Sequence, residues 1–177
     1  MNAARLISLE AMLTAREARV ARQEAARARH RLPLISLSLV MPGPVKAGLL
    51  PREIMQAALT AVDGHLSRAR WPVIERQALW LPTGPEALYA VNAPADALKL
   101  ALVELEERHT LGRLWDLDVI GAEGQVSRGS LGIAPRPCLI CQEPAHACAR
   151  AKTHGLDQLF AAIQEKVDAY HRRPLVA

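Results

Sequence analysis

The sequence predicts an α+β fold: a long N-terminal helix, a β-α-β-β-α-β antiparallel sheet with its helices on one face, then a cysteine-rich segment and a last helix. Three observations predict it. Residues 5–30 hold no Gly or Pro and are rich in Ala, Arg and Glu, which favours one long helix. Residues 34–120 alternate between a hydrophobic period of 2 and one near 3.6, in the order strand, helix, strand, strand, helix, strand. Three cysteines fall within residues 138–148, and an amphipathic run follows from 155 to 171.

In the first helix, Arg5 to His30, the larger apolar residues recur as Leu9, Leu13 and Val20, and Arg16 falls inside that stripe where a leucine is expected. Either its stem packs while the guanidinium reaches water, or it meets an anion. After Pro33, LISLSLVM alternates Ile35, Leu37 and Leu39 against Ser36 and Ser38, the pattern of a strand with one covered face. PGPVK ends it. Pro51 opens a helix to Arg70 on the apolar set Ile54, Ala58, Leu59 and Val62. Trp71 to Leu81 is the second strand, residues 82–85 a turn, Ala87 to Val91 the third strand, and Pro94 to His109 a helix carrying Leu98, Leu102 and Leu105. Arg113 to Ile120 is the fourth strand, with Trp115, Leu117 and Val119 on one side and Asp116 and Asp118 on the other. This order is ferredoxin-like, with the fourth strand beside and antiparallel to the first, and leaves the second face of the sheet open. Residues 121–124 form a turn, QVSRGSLG returns as a short strand or loop, and the segment from 136 is irregular before turning helical at Pro144.

A chain of 177 residues, half of them apolar, has room for one domain spanning 1–177, with the Cys-rich segment 136–154 inside it. The longest apolar run, Leu34 to Met41, contains two serines and is far short of the roughly 20 residues a membrane span needs. The N-terminal stretch has no hydrophobic signal core, and Glu10, Glu17 and Glu24 argue against a transit peptide, so a cytoplasmic protein without membrane contact is expected. Lys and Arg exceed Asp and Glu by 22 to 18, and with four lysines the excess is mostly guanidinium, suited to phosphate or carboxylate. Net charge of +4 and six aromatics give little for nucleic-acid binding.

Asp116 and Asp118 stand one pleat apart, roughly 7 Å between α-carbons, and such a pair can hold Mg²⁺ against a triphosphate. By itself an Asp-x-Asp fits a solvated strand face at least as well. In the loop after the first strand, Gly43 lets backbone approach an anion and Lys46 supplies a point charge, although an ordinary proline-rich turn has the same residues. Cys138, Cys141, Cys148 and His154 offer three thiolates and an imidazole, the ligand set of a closed tetrahedral Zn²⁺ site; buried structural thiols are the alternative.

Taken together, AREARVARQ (15–23), PGPVK (42–46), LGRLWDLDVI (111–120), SRGSLG (127–132) and RPCLICQEPAHACARAKTH (136–154) resemble the CitX family, the holo-citrate lyase synthases, in order and spacing over nearly the whole chain. Val40-Met41 stands where many members have an Asn-Ile step. The resemblance implies a transferase that takes 2′-(5″-triphosphoribosyl)-3′-dephospho-CoA and attaches phosphoribosyl-dephospho-CoA to a serine of the citrate lyase acyl carrier protein, releasing pyrophosphate. It further implies that Asp116 and Asp118 hold Mg²⁺ and that Arg16, Lys46, Arg113 and Arg128 meet the phosphates of the donor. Two other readings stand beside it. One is the same transfer to the malonate decarboxylase carrier protein; the other is a non-catalytic, zinc-stabilised basic binding module. His109 is a candidate for the base that activates the serine, with a helix-end role as the alternative, and Glu75 is a candidate third carboxylate.

Overall fold

The computed structural model of the protein describes residues 6–172, so Arg5, at the head of the expected first helix, lies outside the described range. The elements are α1 (Leu9–His30), β1 (Leu34–Leu39), α2 (Leu49–Arg68), β2 (Val73–Leu81), β3 (Gly84–Val91), α3 (Ala95–Arg108), β4 (Trp115–Gly121), β5 (Gly124–Val126), α4 (Ala145–Ala151) and α5 (Leu156–His171). Within α1 the start is set by a cap rather than by composition: the Ser8 hydroxyl accepts a hydrogen bond from the Ala11 N–H at 3.1 Å. Ahead of that cap the chain is extended, and the Ile7 N–H donates to the Pro44 carbonyl in the loop after β1.

The strands pair antiparallel in the order β2-β3-β1-β4-β5. The first four reproduce the ferredoxin-like order expected from the periodicity, and β5 is a short hairpin return of β4. One face of the sheet carries the main core. Ile35 and Leu37 of β1, Tyr89 and Val91 of β3, and Trp115, Leu117 and Val119 of β4 pack against Ile54, Met55 and Val62 of α2 and Leu98 and Leu102 of α3. Ile163 and Val167 of α5 join them. Each such side chain contributes roughly 1.5–3 kcal/mol by leaving water, so this face dominates the stability.

The other face is covered, not open. Across it lies α1, whose Ala26, 3% exposed, packs on Leu34, Leu88, Ala90 and Ile120. The expected packing stripe of α1 is also displaced: Leu9, Leu13 and Val20 are exposed, and Arg16 lies among exposed positions rather than inside a buried stripe. Polarity of the sheet below explains this. Apart from the small apolar patch at Ala26, the face under α1 presents Ser36, Ser38, Glu86, Asp116 and Asp118, so the helix side that meets it is arginine, glutamine and alanine.

Strand β4 extends beyond β5, which pairs only with Val119 to Gly121, and its free edge is closed by side chains instead. Glu106 Oε1 accepts the Leu117 N–H at 3.0 Å, Lys99 Nζ donates to the Leu117 carbonyl at 2.8 Å, and Arg136 Nη2 donates to the carbonyls of Trp115 (2.6 Å) and Arg113 (2.9 Å). These bonds satisfy backbone groups that a sixth strand would otherwise take. Among the described residues, no helix is long and apolar enough to cross a membrane.

Candidate active site

Register places the two aspartates. Ser38 of β1 lies opposite Asp116 of β4, and Ser36 opposite Asp118, so both carboxylates share the face under α1. Glu86 of β3 is on that same face. The first half of α1, the loop after β1, the β2–β3 turn and the start of α5 enclose a cavity of about 1080 Å³ above the end of the sheet that carries Ser38. Asp116, Glu86, Arg16, Arg19 and Lys46 all line it. The sequence-expected residues Arg16, Lys46 and Asp116 are thus brought together from three distant parts of the chain.

Asp118 sits one pleat behind Asp116 and does not line the cavity; its Oδ1 accepts a hydrogen bond from Gln125 Nε2 at 2.8 Å. Burial raises the pKa of Asp118, and the neighbouring Asp116 charge raises it further. Asp116 Oδ1 meets Arg136 Nη1 at 3.3 Å. Lys46 is half-buried, donates to the Met41 carbonyl, and has its pKa lowered by burial and then by the Arg16 guanidinium beside it. Gly43 adopts φ 72°, and a Cβ there would come within 3.4 Å of the Phe160 ring, so glycine serves the turn and its packing on α5.

Arg113 and Arg128 lie away from the cavity wall. Arg113 donates to the Pro137 carbonyl. Arg128 is ion-paired with Glu106 and Glu107, both at 2.7 Å. His109 stacks on Trp115 with ring centroids 4.3 Å apart, and its Nδ1 accepts the Leu111 N–H, which fits the helix-end role. Because Trp115 belongs to the core face, His109 is on the opposite side of the sheet from Asp116. Glu75 pairs with Arg29 and His30 at the β2 edge and does not line the cavity.

Sequence reasoning missed Glu86, Arg19 and Arg136. Glu86, 5% exposed, receives Arg19 at 2.7 Å and Arg22 at 2.5 Å, and Arg19 Nε is buried with no hydrogen-bond partner. The signal for Glu86 was its place in an otherwise apolar strand, where a charge is buried only if paired. No comparable signal marks Arg136, because its segment has no periodicity.

The cysteine cluster forms another part of the wall. The ligand atoms of Cys138, Cys141, Cys148 and His154 all lie within 4.8 Å of one another, a group that could hold a metal ion. Cys141 and Cys148 Sγ are 3.5 Å apart, and His154 Nε2 is buried without a hydrogen-bond partner. Burial works against a thiolate at Cys138, but backbone N–H groups of Ile140 and Cys141 and the adjacent thiols outweigh it and bring its pKa down to about 6. Burial and the Cys141 and Cys138 thiols push Cys148 up to about 11. A donor set with one thiolate favoured, others crowded against it and an orphaned imidazole nitrogen fits a tetrahedral cation.

The chain is similar to known proteins over most of its length. A family model described as CitX, apo-citrate lyase phosphoribosyl-dephospho-CoA transferase, matches residues 7–170. A protein of Citrobacter koseri with that same description is 43% identical over 159 residues, covering 89% of this chain and 87% of the relative. One from Escherichia coli O7:K1, also so described, is 42% identical over 167 residues, covering 92% of this chain and 91% of the relative.

Proposed function

The chain belongs to the CitX family, the apo-citrate lyase phosphoribosyl-dephospho-CoA transferases, and from that premise we propose how its residues carry out the transfer. It is an enzyme that attaches this prosthetic group to the acyl carrier protein of citrate lyase, which displaces the binding-module reading. The relatives' names point to the citrate lyase carrier over that of malonate decarboxylase. The donor is triphosphoribosyl-dephospho-CoA and the acceptor a serine hydroxyl. The serine oxygen attacks the α-phosphorus, the bond from that phosphorus to the bridging oxygen of the β-phosphate breaks, pyrophosphate leaves, and the hydroxyl proton is lost to solvent.

The observation that carries this reading is the convergence of Asp116 with Arg16, Arg19 and Lys46 on one cavity of about 1080 Å³, ample for a nucleotide-sized donor. Arg16 presents a guanidinium fork and Lys46 a point charge to phosphate oxygens, with Arg19 beside them held by Glu86. Asp116 and Asp118 are the residues that would hold Mg²⁺. The two carboxylates share one face of β4, Asp116 in the cavity wall and Asp118 one pleat behind it. Burial first and the Asp116 charge second raise the pKa of Asp118, and a divalent cation would offset that mutual repulsion. Bound there, the cation supplies positive charge against the leaving pyrophosphate. Cys138, Cys141, Cys148 and His154 would hold Zn²⁺ as a closed structural site. Reduced thiols of this kind suit the cytoplasm.

The test is mass spectrometry of the apo carrier after incubation with enzyme, donor and Mg²⁺. The carrier should gain one phosphoribosyl-dephospho-CoA. Asp116→Asn should slow that gain by at least about 100-fold, the loss of roughly 3 kcal/mol of transition-state stabilisation. A rate near wild type would remove Asp116 from the chemistry.

A further inference from the structure

We infer that the metal-binding cluster is a positioning device for the transfer site, acting on Asp116 through Arg136 and on the donor through the cavity wall. Three of its four ligands, Cys138, Cys148 and His154, line the cavity together with Leu139, while Cys141 does not. The segment from Ile133 to Pro144 has no helix or strand of its own, only the isolated bridge between Pro137 and Pro144. Its course is therefore fixed by what it is tied to. On one side Arg136 donates to Asp116 and to the carbonyls of Arg113 and Trp115, and Arg113 donates back to Pro137. On the other, the Arg136 carbonyl accepts the Ala145 N–H at 2.8 Å and the Cys138 N–H donates to the Glu143 carbonyl at 2.7 Å.

A cation closing on the cluster fixes Cys138, and with it Arg136 two residues earlier. Arg136 in turn sets the direction of the Asp116 carboxylate and closes the free edge of β4. Without the cation, the cluster adds only weak thiol hydrogen bonds to the Arg136 and Arg113 contacts and the two backbone bonds that hold the Cys138 end of a coil forming part of the donor's enclosure. Metal occupancy thereby becomes a condition for donor binding as well as for stability. Arg136 is a positioning residue in this account, since it reaches the reaction through Asp116. The inference rests on the transferase reading for its ligand and on the cluster alone for its metal.

Cys141→Ser separates the two roles, because Cys141 is the ligand that does not face the cavity. Purified wild type should carry one Zn²⁺ by elemental analysis, and Cys141→Ser should lose it and bind the donor at least tenfold more weakly by titration calorimetry. Wild type stripped with a chelator should weaken equally and recover on reloading, which keeps the test decisive if the variant folds poorly. In Co²⁺-loaded wild type the visible d–d bands should shift when donor is added, a response that a remote structural site would not give. Arg136→Lys should retain metal and bind donor normally, yet turn over about tenfold more slowly. Metal-free protein that binds donor as tightly as loaded protein, cobalt bands indifferent to donor, or Arg136→Lys with wild-type turnover would each overturn the inference. Wild type that holds metal but binds no donor would overturn the transferase reading itself, and the metal content tells that result apart.

Discussion

Asp118 shows how a residue can be kept against its own electrostatics. Its pKa in the folded state lies above the ordinary 3.8, first because of burial and second because of Asp116. For a carboxyl group raised in this way, the folded state binds its proton more tightly than the unfolded state does. Stability therefore falls as pH rises from 3.8 through the folded pKa, and the full penalty persists at neutral pH. Asp118→Asn should accordingly melt at a higher temperature than wild type at pH 7, with the gain disappearing as the pH falls below 3.8. Thermal melts across that range check the sign. Carrier modification by the same variant should be lost, since the repulsion it removes is what a bound cation would exploit. A variant no more stable than wild type at neutral pH would show that Gln125 already offsets the penalty.

At the scale of elements, the junction between α3 and β4 carries the most specific chemistry outside the cavity. Gly112 is required there, because a Cβ would drive into the Glu106 carbonyl. The Glu106 side chain, 4% exposed, accepts the Leu117 N–H with one oxygen and holds Arg128 with the other. Glu106→Ala should cost about 3–5 kcal/mol in denaturant unfolding, since it leaves the Leu117 N–H without its partner and takes from Arg128 its buried carboxylate, so that only the more exposed Glu107 still pairs with it. Loss of less than about 1 kcal/mol would mean that Glu107, paired with Arg128 at 2.7 Å, holds the junction alone. The Arg128 that sequence reasoning set near phosphate is engaged at this junction, where the SRGSLG segment turns back past α3. An arginine's charge was legible from the sequence; the partner it takes was decided by packing.

On the scale of the whole molecule, α1 does two jobs with two parts of its length. Its C-terminal part seats Ala26 on the apolar patch of Leu34, Leu88, Ala90 and Ile120, and its N-terminal part brings Met12, Arg16 and Arg19 to the cavity. A rigid helix couples the two. Ala26→Asp, which places an unpaired charge in that patch, should destabilise the protein by about 2–4 kcal/mol and also weaken donor binding, although Ala26 does not line the cavity. Calorimetry at a temperature where the variant remains folded checks the second effect. Undiminished affinity would mean that the cavity wall is set by the Ser8 cap and the Pro44 contact instead of by the seat at Ala26.

The sequence by itself determined the strand and helix order, because period-2 and period-3.6 patterns are local and the core-facing positions along β1, β4 and α2 carry apolar residues. It also determined that Asp116 and Asp118 share a face opposite Trp115, since alternation along a strand needs no tertiary information. The ligand set of the cysteine cluster was legible for the same reason, as residue types at chelating spacing. Only the tertiary structure decided that α1 covers the second face, because the helix meets a polar surface there and a search for apolar stripes picks its exposed side. Long-range pairing likewise decided which charges are free to serve a ligand. Glu86 takes Arg19 and Arg22, Glu106 and Glu107 take Arg128, and Arg136 reaches Asp116 from twenty residues away. Ion pairs form between whichever charges the fold brings within reach, and no local pattern in the chain encodes that distance.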